Sequence, residues 1–167
     1  GRWRREVRRL EKMVPDTPHP PQAGDEAVVV ALAHPERVAR RRAPRSRAYL
    51  MAGGTAAEVP RSEVVEDPAG LPTTEGLAGS PWLAVAVAER APGRKHGFVR
   101  LAARADQRLA EQAAAVLRAV TDEIDWHDGD VRARTVDRLG AIVLADKDLA
   151  DPPAGAVRAA LLDGLAT

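Results

Sequence analysis

The sequence has no cysteine, and this absence excludes three kinds of chemistry. Disulfide frameworks, thiolate zinc sites and thiol nucleophiles all require a cysteine side chain. A chain without cysteine is consistent with a reducing compartment, and we expect a cytoplasmic protein. Long apolar runs are absent too, since none approaches the roughly 20 residues that span a bilayer. The charged N-terminus has no apolar signal region, so we expect no membrane contact.

Lysine and aromatic residues are scarce, whereas arginine is abundant. Aromatic residues make up 3% of the 167 residues, and only 3 of the 25 basic residues are lysine. The remaining 22 are arginine, and an excess of arginine and alanine is more typical of GC-rich coding than of one function. The length fits one domain, or one domain and part of a second.

Charge is distributed unevenly along the chain. The formal net charge of +1 combines +6 over residues 1–120 with −5 over residues 121–167. Basic residues cluster within residues 2–12, 37–47 and 90–100. Clustered arginine is typical of phosphate binding, whereas the alternative is a solvated or charge-balanced surface. Both interpretations remain open for each cluster.

Apolar spacing and turn residues predict short strands between helices. The predicted helices span residues 2–14, 25–34 and 106–120, with a last one opening after Pro152 and Pro153. The predicted strands span residues 37–42, 47–51, 55–59, 82–88, 98–103, 123–127, 130–134 and 139–145. Strand 82–88 is apolar on both faces, so we expect burial on both sides. The fold class is therefore α+β, mainly β, with a domain of barrel size.

The Asp128-Gly129 pair predicts a two-residue hairpin turn, which fixes a register. Trp126 then faces Val131, and Glu123 faces Arg134. Apolar pairs share one face in this register and opposite charges share the other. We therefore predict that Arg132 and Arg134 pair with carboxylates instead of binding phosphate.

The sequence contains no recognisable catalytic or metal-binding pattern. It has neither a G-x-x-x-x-G-K-[ST] phosphate loop nor a G-x-S-x-G motif. The four histidines are isolated, and the acidic stretch around the hairpin lacks the arrangement of an EF-hand. We therefore expect neither a catalytic nor a metal site, and a chain that is not itself an enzyme.

Four stretches resemble, in order, the C-terminal region of HrpB-type bacterial ATP-dependent helicases of the DEAH/RHA class. They are VVVALAHPERVARRR (28–42), RAYLMAGGTAAEV (47–59), WLAVAVAERAPGRKHGFVRLAARAD (82–106) and WHDGDVRARTVDRLGAIVL (126–144). The family patterns there are A-[YH]-P-[DE]-R-[IV]-A-R-R-R, Y-L-x-A-x-G-x-A, W-L-V-V-A with R-I-R-L-A-A, and W…V-x-A-R…R-L-G-A-L-x-L. The resemblance covers residues 28–167.

This resemblance implies a piece of a larger machine. Residues 1–34 would be the end of a helical-bundle region and a linker, and residues 35–120 an OB-like barrel flanked by helices. Residues 121–167 would form a β-hairpin extension and a C-terminal helix leading into the family's last domain. ATP and Mg²⁺ would bind the motor domains, so this chain would hold no cofactor and would not hydrolyse ATP.

The sequence departs from the family pattern in two places. Residues 52–55 replace an Asn-Gly-Arg-Gly turn and lose an arginine that would be placed to contact phosphate. Residues 60–80 form a long loop rich in proline, glycine, serine and threonine, to which the resemblance assigns no role.

An OB-like domain implies binding of single-stranded RNA or DNA, mainly through backbone phosphates because aromatic rings are few. The predicted phosphate contacts are Arg37, Arg40, Arg41, Arg42, Arg47, Arg94, Lys95 and Arg100, with Tyr49 and Phe98 as candidates for base stacking. The alternative is a regulatory interaction module that docks on the remainder of the helicase chain or on a partner protein.

Overall fold

A computed structural model describes residues 5, 8–9, 12–13, 22–60, 77–90 and 97–166. Within the predicted helix 2–14, the described arginines Arg5, Arg8 and Arg9 are helical and exposed. The rest of that helix, the proline-rich connector and most of the 60–80 loop lie outside the described residues.

The described elements alternate between short helices and strands. The helices are α1 (Asp25–Ala33), α2 (Gln107–Ala113) and α3 (Ala154–Leu165). The strands are β1 (Val38–Arg41), β2 (Ala48–Met51), β3 (Ala56–Glu58), β4 (Trp82–Glu89), β5 (Gly97–Ala105), β6 (Arg118–His127), β7 (Asp130–Leu139) and β8 (Ile142–Asp148). Strands dominate, which confirms the predicted α+β, mainly β, class.

The first five strands close into a barrel in the order β1-β2-β3-β5-β4. Pairing of β1 with β4 closes it, with Arg40 facing Trp82. The β3–β5 pair is parallel, whereas the other pairs are antiparallel. Closure removes the sheet edges that an open sheet would leave unpaired. The predicted small barrel is thus confirmed, and its five strands fit an OB-like domain.

Alternation along the barrel strands separates two apolar cores. One core contains Tyr49, Leu83, Val85 and Val99, which are all fully buried. The other lies on the opposite face of the same strands, where Val38 and Trp82 meet the alanines of α1 and α2. Side chains of successive strand residues point to opposite faces, so each strand supplies both cores.

Strand β4 is buried on both faces only in its first half. Trp82, Leu83, Ala84 and Val85 are buried as predicted, but Val87 is 41% exposed. The pairing with β5 shifts register between Val85 and Ala88, and such irregularities bend and twist a strand. The prediction of burial along the whole strand was therefore wrong beyond Val85.

The second sheet has the order β6-β7-β8. The predicted hairpin register is confirmed, with Trp126 opposite Val131 and Glu123 opposite Arg134. The predicted helix over 106–120 was wrong in its last part, because α2 ends at Ala113 and β6 begins at Arg118. The apolar residues of the predicted helix have helical spacing up to residue 120. From Arg118 onward, however, the chain pairs with β7, beginning opposite Leu139, and this pairing outweighs the helical pattern.

The predicted last strand, 139–145, is divided by a turn. Leu139 ends β7 and Ile142 begins β8, because Gly140 adopts a left-handed conformation with φ of +58°. The chain therefore reverses within two residues. The predicted C-terminal helix is confirmed as α3, which packs against β6 and β7.

The β7–β8 turn joins the second sheet to the barrel through the backbone. The Ala141 N–H donates to the Ala52 carbonyl at 2.8 Å, and the Gly140 N–H donates to the Leu117 carbonyl at 2.8 Å. A Cβ atom at residue 140 would overlap the Ala52 carbonyl oxygen. Leu139 and Ile142 flank the turn and are buried in the core shared with the barrel.

Replacement of the turn glycine should loosen this junction. We expect Gly140→Ala to lower the free energy of unfolding by about 2–4 kcal/mol, since it adds both a left-handed alanine and a backbone clash. Denaturant unfolding of the whole chain measures the change.

Gly155→Ala serves as the matched control, because a Cβ at this helical position meets nothing within 4 Å. Its stability should stay the same or rise by up to about 1 kcal/mol. If Gly140→Ala and the wild type had the same free energy of unfolding, the close approach at Gly140 would not contribute to the stability of the fold.

Candidate functional site

One group of arginines is paired with carboxylates. In the second sheet, Arg138 lies 2.7 Å from Glu123, and Arg134 lies 3.1 Å from both Glu123 and Asp146. Arg132 lies 3.6 Å from Asp146. The prediction that Arg132 and Arg134 pair with acids is therefore confirmed, and these charges are compensated within the sheet.

Two predicted phosphate contacts belong to the same paired group. The Arg100 Nε atom lies 2.8 Å from a Glu89 carboxylate oxygen. Arg37 lies 3.3 Å from the Glu36 carboxylate and also donates to the Ala86 carbonyl at 2.9 Å. Both side chains already have an acidic neighbour, so they are weaker candidates for phosphate than the arginines described next.

Three arginines of residues 40–47 are held by backbone carbonyls. Arg40 donates to the Val143 carbonyl at 2.6 Å, and Arg41 donates to the Ala78 carbonyl at 3.2 Å. Arg47 donates to the Val59 carbonyl at 2.8 Å and to that of Pro60. A carbonyl orients a guanidinium without cancelling its charge. These side chains are thus fixed in place and keep their positive charge for an anion.

Two more arginines of the β1–β2 connection are exposed. The side chains of Arg42 and Arg45 make no hydrogen bond or ion pair with any residue that the structure describes. Their guanidinium groups keep all five N–H donors available. Together with Arg40, Arg41 and Arg47, they form what we call the arginine loop.

The arginine loop borders a cleft of about 530 Å³ between the barrel and the second sheet. Arg40, Arg41 and Arg42 line its barrel side, and residues 141–143 of the β7–β8 turn line the other. None of the described residues that line the cleft is acidic. The Arg40 guanidinium also lies 5.7 Å from the centre of the Trp82 ring, a contact that restrains it further. This arrangement of fixed, uncompensated cations suits a phosphate group.

Tyr49 was wrongly predicted to stack on a base. Its ring is completely buried in the barrel, and its hydroxyl lies 2.9 Å from the Leu77 carbonyl oxygen and 2.7 Å from that of Ser80. No base can reach a ring in this position. Alternation along β2 accounts for the result, because Tyr49 faces inward with Met51.

Among the remaining predicted residues, Phe98 lies away from the arginine loop. Phe98 is half-buried and pairs with Glu89, at the opposite end of β4 from Trp82. The strand advances seven positions from Trp82 to Glu89, or roughly 23 Å. Arg94 and Lys95 lie outside the described residues. Phe98 and Arg100 thus do not join the arginine loop.

The sequence interpretation missed two parts of the site. Arg45 lies in the predicted 37–47 basic cluster, but it was not among the predicted contacts. The wall formed by residues 141–143 lies about a hundred positions along the chain from Arg40. The Pro44-Arg45 turn was detectable in the sequence, whereas the distant wall had no sequence signature.

Two further classes of feature were checked over the described ranges. No group of three or more His, Asp or Glu residues there could hold a metal ion. None of the helices in those ranges is long and apolar enough to cross a membrane.

The buried Tyr49 gives a pH-dependent prediction. Burial raises its pKa above the usual value near 10, and the positive charges of Arg41 and Arg47 oppose this rise. The folded state therefore holds the proton more tightly than the unfolded state. The stability from this group is complete below about pH 10 and is lost as pH rises from there through the folded pKa.

Tyr49 is the single tyrosine of the chain, so tyrosinate absorbance reports on this residue alone. We expect its titration midpoint to be higher in the folded protein than in the same chain unfolded in guanidinium chloride. A folded midpoint at or below the unfolded one would show that the ring is accessible to solvent.

No protein-family model and no curated protein matches this sequence. Among solved structures, the chain is similar to part of the E. coli DExH-box NTPase HrpB, with a TM-score of 0.59 and 23% identity over 84% of this chain. A structure of the Escherichia coli DEAH/RHA helicase HrpB also matches, with a TM-score of 0.48 and 20% identity over 83%. The chain spans 16% of the length of each HrpB chain. The first likeness shows that this chain shares its fold with a small part of HrpB.

Proposed function

We propose that this chain is a non-catalytic accessory region of an HrpB-type ATP-dependent RNA helicase. Its role would be to bind the backbone of single-stranded nucleic acid at the arginine loop and the adjoining cleft. The ordered sequence motifs and the fold shared with part of HrpB support the assignment to this kind of helicase. Such a region would act in the cytoplasm, with ATP and Mg²⁺ bound by the motor domains of the whole protein.

The main support for nucleic-acid binding is the uncompensated charge of the arginine loop. Arg40 and Arg41 are oriented by carbonyls, and the described residues that line the cleft beside them include no acid. A guanidinium with free donors forms two parallel hydrogen bonds to phosphate oxygens, which gives strong and oriented contacts. Binding without base readout follows, because phosphate contacts carry no sequence information.

The shape of the site favours a single strand over a duplex. OB-like barrels bind single strands along a basic groove, and loops such as the β1–β2 connection border that groove. The cleft of about 530 Å³ has the size of a small-ligand pocket, so it would hold one nucleotide unit. Apolar side chains in its lining, including Leu50 and Val143, would contact the sugar or base.

Removal of one free arginine should weaken binding without unfolding the protein. We expect Arg42→Ala to reduce the affinity for single-stranded RNA roughly three- to tenfold at low salt, because one charged phosphate contact is lost. The slope of log affinity against log salt should become shallower by about 0.7. Fluorescence anisotropy with a labelled oligouridine at several salt concentrations measures both quantities, and an oligothymidine of the same length compares DNA.

Arg158→Ala is the matched control. Arg158 is exposed on α3, and its side chain makes no hydrogen bond or ion pair within the described residues, but it is remote in sequence from the cleft lining. Its loss should leave affinity and slope nearly unchanged. Equal losses in both variants would indicate diffuse attraction instead of this site, and a wild type without binding at low salt would reject the proposed function.

A further inference from the structure

The arginine loop contains a tight turn with an unusual residue at its third position. The Ser46 N–H donates to the Ala43 carbonyl at 3.0 Å, which makes Pro44 and Arg45 the two central residues of a four-residue turn. Arg45 has a φ of +62°, the left-handed region. Proline followed by a left-handed residue is the pattern of a type II turn, in which glycine or asparagine is preferred at the second central position.

Arg45 therefore occupies a position where the backbone favours another residue. Its side chain is exposed and makes no hydrogen bond or ion pair in the parts of the chain that the structure describes. No such contact there offsets the backbone strain. Strain of this kind is concentrated at functional sites.

Among the described residues, one other residue that is not a glycine has a left-handed backbone, and it provides a comparison. Asp128 has a φ of +51° in the β6–β7 hairpin turn. Aspartate tolerates this conformation, and Asp-Gly is a preferred pair in such turns. Asp128 thus follows the rules of turn chemistry, whereas Arg45 does not.

We infer that Arg45 is a phosphate contact beyond the cleft, so that the site spans at least two phosphates of one extended strand. This inference rests on the proposed function. Pro44, directly before Arg45, lines the cleft, so Arg45 lies at its rim. Arg40, Arg41 and Arg42 hold the phosphate in the cleft, and the turn presents Arg45 to the next one. Its charge is uncompensated, which is the property that the arginines of the cleft share.

The test separates binding from stability. Arg45→Gly removes the side chain and relieves the backbone, so the melting temperature should stay the same or rise by up to about 3 °C. Affinity for a labelled oligouridine should nevertheless fall roughly three- to tenfold, and the salt slope should become shallower by about 0.7. Asp128→Gly is the control for the turn, and we expect it to leave affinity and slope unchanged.

A second arm tests the two-phosphate span. Arg42→Ala combined with Arg45→Gly should reduce the salt slope by about twice the single change, since two phosphate contacts are lost. Unchanged affinity in Arg45→Gly, with weakened binding in Arg42→Ala, would overturn the inference and leave the proposed function standing. Unchanged affinity in both variants would overturn the proposed function itself.

Discussion

The architecture depends on one place where two backbones meet without a side chain between them. Gly140 allows the β7–β8 turn to approach the β2–β3 turn, so that Ala141 donates to the Ala52 carbonyl. Leu139 and Ile142 are thereby buried against the outer face of the barrel. The same contact brings the Val143 carbonyl within reach of Arg40. The cleft exists because the second sheet is fixed at this distance, and a barrel alone would have only one of its walls.

The type of partner, more than the number of arginines, distinguishes the second sheet from the arginine loop. In the second sheet, Glu123 and Asp146 are shared among Arg132, Arg134 and Arg138, so each of these arginines has an acidic partner within the sheet. Hydrogen bonds from Arg118 likewise lower the pKa of Asp137. In the arginine loop, carbonyls replace carboxylates. The net charges of +6 and −5 therefore understate the difference, because the second sheet pairs Arg132, Arg134 and Arg138 with acids and the arginine loop does not.

Local sequence patterns predicted most of the fold. Contacts between residues that are distant in sequence account for most of the features that these patterns did not predict. The Asp128-Gly129 turn and cross-strand pairing were enough to place every pair of the hairpin from His127 to Glu123. Helical spacing failed at Arg118, where the competing partner is β7. Tyr49 was assigned to the surface because an aromatic ring beside arginines is typical of nucleic-acid binding, whereas strand alternation directs it inward. The wall at residues 141–143 depends on the approach of Gly140 to Ala52, which no local pattern encodes.

Arg40 combines structural and electrostatic roles that a single substitution cannot separate. Its guanidinium lies over Trp82, which is only 3% exposed, and it also joins β1 to the Val143 carbonyl of β8. Loss of this side chain would uncover an indole and release one wall of the cleft along with the charge. Lysine in its place would keep the charge but lose the planar group that contacts the ring and the carbonyl together. The side chains of Arg42 and Arg45 make neither contact, so their contribution is electrostatic. Substitutions at these two residues therefore change the charge of the site without removing a contact that supports its structure.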